Sequence, residues 1–133
     1  MAKPKTVSQL IKQLQPIFNK YIRLRDKDEP CISCGQHKEQ YDAGHFFAVS
    51  GYAGLRFDED NVHKECKGCN CFNESHLIGY SDNLKIKLGE EKYIALKQRA
   101  IDYKRNGVKW SRIELRELIE LYKQKVKDLE WEV

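Results

Sequence analysis

The residues able to do chemistry in this chain are its cysteines and histidines, and all of them lie between Cys31 and His76. Cys31-Ile32-Ser33-Cys34-Gly35 is one CxxC knuckle and Cys66-Lys67-Gly68-Cys69 is a second. Two such pairs offer four soft thiolates, the donor set of a tetrahedral zinc ion. Gly35 lets the backbone turn tightly beside the metal. A redox role for CxxC goes with a thioredoxin-like βαβ pattern, which is missing here. In a reducing cytosol disulfides are not expected either. Cys71 is left over, as a small apolar side chain or a thiol with no role. A closed four-cysteine zinc has no open position, so it stabilises a fold and does no chemistry. Catalysis would need a second metal.

Between and after the knuckles stand Asp42-Ala43-Gly44-His45-Phe46, then Asn61-Val62-His63, then Cys69-Asn70. His45, Asn61 and Asn70 form an H…N…N order threaded through the cysteine pairs. That order resembles the ββα-metal, or His-Me finger, nuclease motif. Within it the zinc-stapled branch places a metal-binding Asn or His directly after the last cysteine, as Asn70 stands here. The resemblance narrows further. Residues 25–35, Asp42-Ala43-Gly44-His45, Leu55-Arg56-Phe57, residues 61–66 and Cys69-Asn70 are similar to the Rap (NinG) family of lambdoid phages. The similarity continues through Leu88-Gly89 to the helix after Trp110, about residues 17–129. It implies a structure-specific endonuclease acting on recombination intermediates, notably Holliday junctions and D-loops.

Phosphodiester hydrolysis requires an activated water, neutralised charge at phosphorus and help for the departing 3′ oxygen. Neutral imidazole suits the first task, and His45 is the candidate base. One Mg²⁺ or Mn²⁺ would serve the others, held by oxygen donors. Asp42 brings a carboxylate and Asn70 an amide carbonyl. In the commoner motif the acidic ligand directly precedes the histidine, where this chain has Gly44. Asp42 would reach in from one pleat further back, through space that Gly44 leaves. The motif implies that Asn61 pins a loop and positions the base. Asn73 is a weaker metal candidate, one turn beyond Asn70, with His76 a turn further on. His63 either binds phosphate or packs near the knuckle. Arg56, Lys64 and Lys67 flank the site as DNA contacts or as solvated charges. Phe46, Phe47, Tyr52 and Phe57 fit a core better than base stacking. Residues 50–54, with two glycines, read as a mobile loop that could contact a branch point.

These residues need a scaffold, and the rest of the chain reads as helix. Over residues 6–28, Val7, Leu10, Ile11, Leu14, Ile17, Phe18, Tyr21 and Ile22 make one apolar stripe. Pro16 is expected to kink or divide that helix. Residues 29–80 lack a helical period and suggest short strands, loops and a short helix from about Cys69. Residues 81–133 return to helix, interrupted at Gly89 and turned at Asn106-Gly107. Ser111-Arg112-Ile113-Glu114 is a capping box, with Trp110 and Leu115 placed as a hydrophobic staple. The fold class expected is α+β: a ββα-metal core with a four-cysteine zinc site, flanked by amphipathic helices in one domain, 1–133.

Composition agrees with this reading. The 133 residues are 41% hydrophobic and 33% charged, with net charge +4, which permits a nucleic-acid partner without demanding one. No apolar run approaches membrane-spanning length and no signal peptide is evident, so the host cytoplasm is the expected location. The expected function is metal-dependent cutting of branched or double-stranded DNA. The alternatives are a non-enzymatic zinc module that binds nucleic acid, and a nicking HNH nuclease without junction specificity. Paired cuts in a junction suit a homodimer. The helices at both ends either supply its surface or complete one monomer's core.

Overall fold

The computed structural model describes residues 3–72 and 75–132. Five helices and one β-hairpin make up the architecture: α1 (Val7–Arg25), β1 (Tyr41–His45), β2 (Val62–Cys66), α2 (Lys67–Phe72), α3 (His76–Leu88), α4 (Glu90–Asn106) and α5 (Arg112–Trp131). A single 3₁₀ turn, Ala53–Leu55, lies in the β1–β2 connection. The protein is a helix-rich α+β fold with a small antiparallel two-stranded sheet.

Helix α1 starts at Thr6, whose hydroxyl accepts from the Gln9 amide while the Gln9 side chain accepts from the Thr6 amide. It runs unbroken through Pro16, against the expectation of a division there. Its stripe of Leu10, Leu14, Phe18 and Ile22 packs on Leu115, Ile119 and Tyr122 of α5, with Ala43, Phe57 and Val62. The two terminal helices thus complete one monomer's core, and their apolar stripes are not free to make a dimer. Phe18 meets Phe57 and Tyr122 edge-on, at ring separations of 5.5 and 4.9 Å. At the start of α5 the Ser111 hydroxyl accepts from the Glu114 amide at 3.1 Å, and Trp110 joins the same core as Leu115.

A second apolar cluster joins α3 to α4: Tyr80, Leu84, Tyr93, Leu96 and Ala100, with Ile32 and Leu55. Helix α3 begins at His76, before the boundary at 81 expected from apolar periodicity. Gly79 makes this docking possible, because a Cβ there would stand 2.0 Å from the carbonyl oxygen of Ser33. Gly89 then joins α3 to α4 with a positive φ of 83°. Asp26, buried at the end of α1, ties the parts together. It accepts from Arg25, from Lys87 of α3 at 2.9 Å and from the Lys64 amide of β2 at 3.1 Å. No helix among the described residues is long and apolar enough to cross a membrane.

Candidate metal centre and its neighbours

Cys31 and Cys34 lie on the knuckle before β1. Cys66 ends β2 and Cys69 lies in α2. Folding the hairpin brings all four together, with every Sγ within 4.8 Å of the others. Tetrahedral Zn–S bonds of about 2.3 Å place sulfurs about 3.8 Å apart, and the Cys34–Cys66 pair stands at 3.9 Å. The amides of Cys34 and Cys66 point at the Cys31 sulfur, at 3.5 and 3.2 Å. Burial opposes ionisation of Cys31, but these amides outweigh it and hold the thiol below its ordinary range. Burial and the neighbouring sulfurs push Cys69 up. Four crowded thiols do not all ionise without a cation among them, and the donor set fits zinc.

One face of the hairpin carries the candidate ion pair. The Asn70 amide donates to Asp42 Oδ2 at 3.0 Å, and the Lys67 ammonium stands 3.1 Å from Oδ1. Cys71 is also here, its thiol 3.7 Å from Oδ2. Burial works against the Asp42 charge, yet Asn70 and Lys67 win and its carboxyl lies below the usual range. The site already holds one cation, the exposed lysine head, and its oxygen donors suit a hard divalent ion. The Asn70 amide would have to present its oxygen instead, a rotation that costs little at an exposed position. Asn73, the weaker candidate, lies outside the described residues.

His45 ends β1. In an antiparallel register of Asp42 with Glu65 and His45 with Val62, strand alternation puts Asp42 and His45 on opposite faces. Among the described residues no hydrogen bond or ion pair joins His45 to the Asp42–Asn70 pair. Nε2 of His45 lies 2.9 Å from the Arg56 carbonyl oxygen. A carbonyl only accepts, so Nε2 carries the proton and Nδ1 keeps its lone pair. Burial, only partly opposed by that carbonyl, lowers the pKa of the ring below its ordinary 6.5. The imidazole is therefore neutral at pH 7.

Asn61 is fully buried and clasps the loop after β1. Its Oδ1 accepts from the Phe47 amide at 2.8 Å, and its Nδ2 donates to the Phe47 and Leu55 carbonyls at 3.1 Å. Residues 50–54, expected to form a mobile loop, are thereby tied at both ends. The side chain cannot reach a substrate; it holds the loop whose next carbonyl, from Arg56, orients His45.

Two of the residues weighed as DNA contacts are buried. His63 is 1% exposed; its Nε2 donates to the Asp60 carbonyl and its Nδ1 accepts from Arg25. Of the two readings of His63, its burial supports packing. Lys64 is likewise buried, lying over the Tyr41 ring at 3.9 Å and donating to the Lys27 carbonyl. Arg56 is half-buried, bonded to Gln15 of α1, and Lys67 is exposed. Those two keep surface from which to meet a phosphate.

Glu65 has no place in the sequence reading. It is fully buried on β2, with Oε2 accepting from Ser33 and 2.7 Å from His76 Nδ1, while Oε1 has no partner among the described residues. A Cβ at Gly44 would stand 2.2 Å from that Oε1. The space left by Gly44 is filled by Glu65, not by Asp42. A charged residue between His63-Lys64 and Cys66 gives no sign of burial; the glycine opposite is the one hint.

Fold and site together define a helix-rich α+β protein built on a hairpin beside a cluster of four cysteines that could hold zinc. A family model described as Bacteriophage Lambda NinG protein matches residues 1–132. The chain belongs to the NinG family. It is 41% identical over 120 residues to the Protein ninG of Escherichia phage 933W, covering 90% of this chain and 57% of that protein. Identity is 40% to Protein ninG of Salmonella phage P22 and 39% to that of Escherichia phage lambda, over the same share of this chain. The chain spans a little over half the length of these relatives. No solved structure matches it.

Proposed function

We propose that this chain is an HNH-type, metal-dependent endonuclease that hydrolyses phosphodiester bonds in branched DNA such as Holliday junctions and D-loops. The observation that carries this reading is the His45 ring, held through Nε2 by the Arg56 carbonyl so that Nδ1 keeps its lone pair. Nδ1 takes a proton from water as the water oxygen attacks phosphorus and the bond to the 3′ oxygen breaks. The Arg56 carbonyl steadies the imidazolium that forms. Asp42 and Asn70 would hold Mg²⁺ or Mn²⁺ on the hairpin face opposite His45, so that ion and base would share one phosphate only where the DNA backbone reaches round the end of the strand; the ion's chemistry there is charge neutralisation. The cysteine quartet, with zinc, anchors the strand and helix that present these two residues.

The rival is a zinc module that binds nucleic acid without cutting, in which the Lys67–Asp42 pair is only a surface ion pair. End-labelled four-way junction and linear duplex, incubated with and without added Mg²⁺ or Mn²⁺, separate the two. Metal-dependent cuts near the branch point that disappear in His45→Ala, with binding retained, are the expected result. Normal cutting by Asp42→Asn would remove Asp42 from the site. No cutting by folded, zinc-loaded protein would establish the rival. Paired cuts call for two copies of the site, which a homodimer supplies; light scattering of the junction complex measures that.

A further inference from the structure

A cleft of about 490 Å³ opens between the loop after β1 and helix α4. Its volume lies in the range of small-molecule sites, about 300–1,000 Å³. Phe47 and Tyr52 supply aromatic surface from the loop, with ring centroids 4.9 Å apart. Ile101, 50% exposed, faces them from α4. The rim is cationic: Lys97, Lys104 and Arg105 line it, and no acidic side chain does. None of the three forms an ion pair among the described residues. Lys104 instead lies over the Tyr52 ring at 4.8 Å. The slot is apolar and aromatic, and its three cations have no carboxylate partner among the described residues, Lys104 being bonded to the Gly51 carbonyl at 3.5 Å and Lys97 lying over the Tyr93 ring at 5.4 Å; such a slot is complementary to a planar group attached to a polyanion.

The cleft also lies beside His45. Phe47 is two residues further along, so its Cα is at most about 7.6 Å from that of His45. That is about two nucleotide steps along a strand. The loop bearing Phe47 and Tyr52 is the one clasped by Asn61, so cleft and imidazole share one support.

We propose that this cleft is a subsite for a single unpaired nucleobase of DNA, packed on the aromatic surface that Phe47 and Tyr52 make with ring planes 55° apart, so that it stacks on one ring and meets the other at an angle, with flanking phosphates met by Lys97, Lys104 and Arg105. This rests on the DNA-cutting reading for the identity of the polymer. A paired base is stacked on both faces and held by its complement, whereas an unpaired base at a branch leaves the stack at small cost. The subsite therefore supplies preference for branched over continuous duplex. It needs no base-edge hydrogen bonds, so it is tolerant of sequence.

The test is fluorescence anisotropy with the full chain and no added divalent ion. Three labelled duplexes are compared: fully matched, with one unpaired thymine, and with an abasic residue in place of that thymine. Wild type should bind the unpaired thymine about tenfold more tightly than the abasic duplex, the scale of one aromatic stack. Tyr52→Ala and Ile101→Asp should erase that preference, and Ile113→Asp, exposed on α5 away from the cleft, should keep it. Ile101→Asp alters an exposed position, which guards against a result caused by unfolding. Equal affinity for thymine and abasic duplexes, or a preference that survives both cleft variants, would overturn the proposal. Cutting is scored separately with Mg²⁺ or Mn²⁺. A base preference without cutting sinks the nuclease and leaves the cleft; cutting without a base preference does the reverse.

Discussion

His45 and Asn61 hold adjacent carbonyls of one turn: the histidine Nε2 bonds Arg56 at 2.9 Å and the asparagine Nδ2 bonds Leu55 at 3.1 Å. The orientation of the imidazole is thus set by a residue sixteen positions away that is itself sealed in the core. Because Nε2 is engaged, any proton His45 accepts goes to Nδ1.

Cleavage should rise with pH as His45 loses its proton and level off above. Burial lowers that pKa, so the half-maximal rate is expected below pH 6.5. His45→Ala should reduce the rate by about 10²–10⁴-fold, the usual worth of a positioned base. A pH–rate profile of single-turnover cleavage checks both. A half-maximum above pH 7 would contradict the neutral, Nε2-protonated ring.

Gly44→Ala should destabilise the fold by about 1–3 kcal/mol, the cost of overpacking a tight interior. Its methyl would collide with a Glu65 carboxylate that Ser33 and His76 hold in place. In a Glu65→Ala background the same glycine change should cost much less. Urea unfolding of the four proteins of this cycle measures the coupling. Equal costs in both backgrounds would mean the two residues do not meet.

His63 is pushed down to about 3, first by burial and then by the charges of Lys87 and Arg25. The unfolded chain takes up a proton below about pH 6.5, whereas the folded ring refuses it. Its contribution to stability is complete above pH 6.5 and is lost as pH falls towards 3. The loss approaches about 1.4 kcal/mol per pH unit. His63→Gln, with the same zinc content, should show a shallower decline between pH 6.5 and 5 in chemical denaturation. Parallel curves would indicate that the ring is protonated in the folded state.

Removing zinc should loosen more than the knuckles. Cys66 ends β2, and the Cys31–Cys34 segment carries Ser33 against Gly79 of α3. A strong chelator is therefore expected to lower the midpoint of thermal unfolding markedly, and stoichiometric Zn²⁺ to restore it. Circular dichroism with metal analysis, expecting one zinc per chain, provides the measurement. An unchanged midpoint after complete loss of zinc would show that the hairpin is held without it.

The cysteine quartet was legible because ligand spacing is a local property. The terminal helices were legible because their stripes recur every three or four residues. Their mutual packing was not, since a stripe does not say what covers it, and Leu14 would read alike in a dimer or a monomer. Pro16 does not divide α1, because its missing N–H affects one bond, while the Leu10–Phe18 stripe is buried on both sides of it. His63, Lys64 and Glu65 look like solvated surface as a polar run. They are buried because both faces of β2 are covered, and partners from distant segments—Arg25, Lys27, Ser33 and His76—satisfy them.

The packing of α1 on α5 sets an order of assembly. When α1 leaves the ribosome, Leu115, Ile119 and Tyr122 have yet to be made, so Leu14, Phe18 and Ile22 lack the cover that α5 gives them. The metal cluster and the α3–α4 pair are complete in the growing chain before α5 appears. At ordinary rates of synthesis the interval is of the order of ten seconds. Throughout it α1 is without the cover of α5, and an apolar stripe left open is the kind of surface that chaperones hold. Contacts this far apart in sequence carry the larger loop-closure cost, so the middle of the chain, with zinc added, should gain order before its two flanking helices close over it.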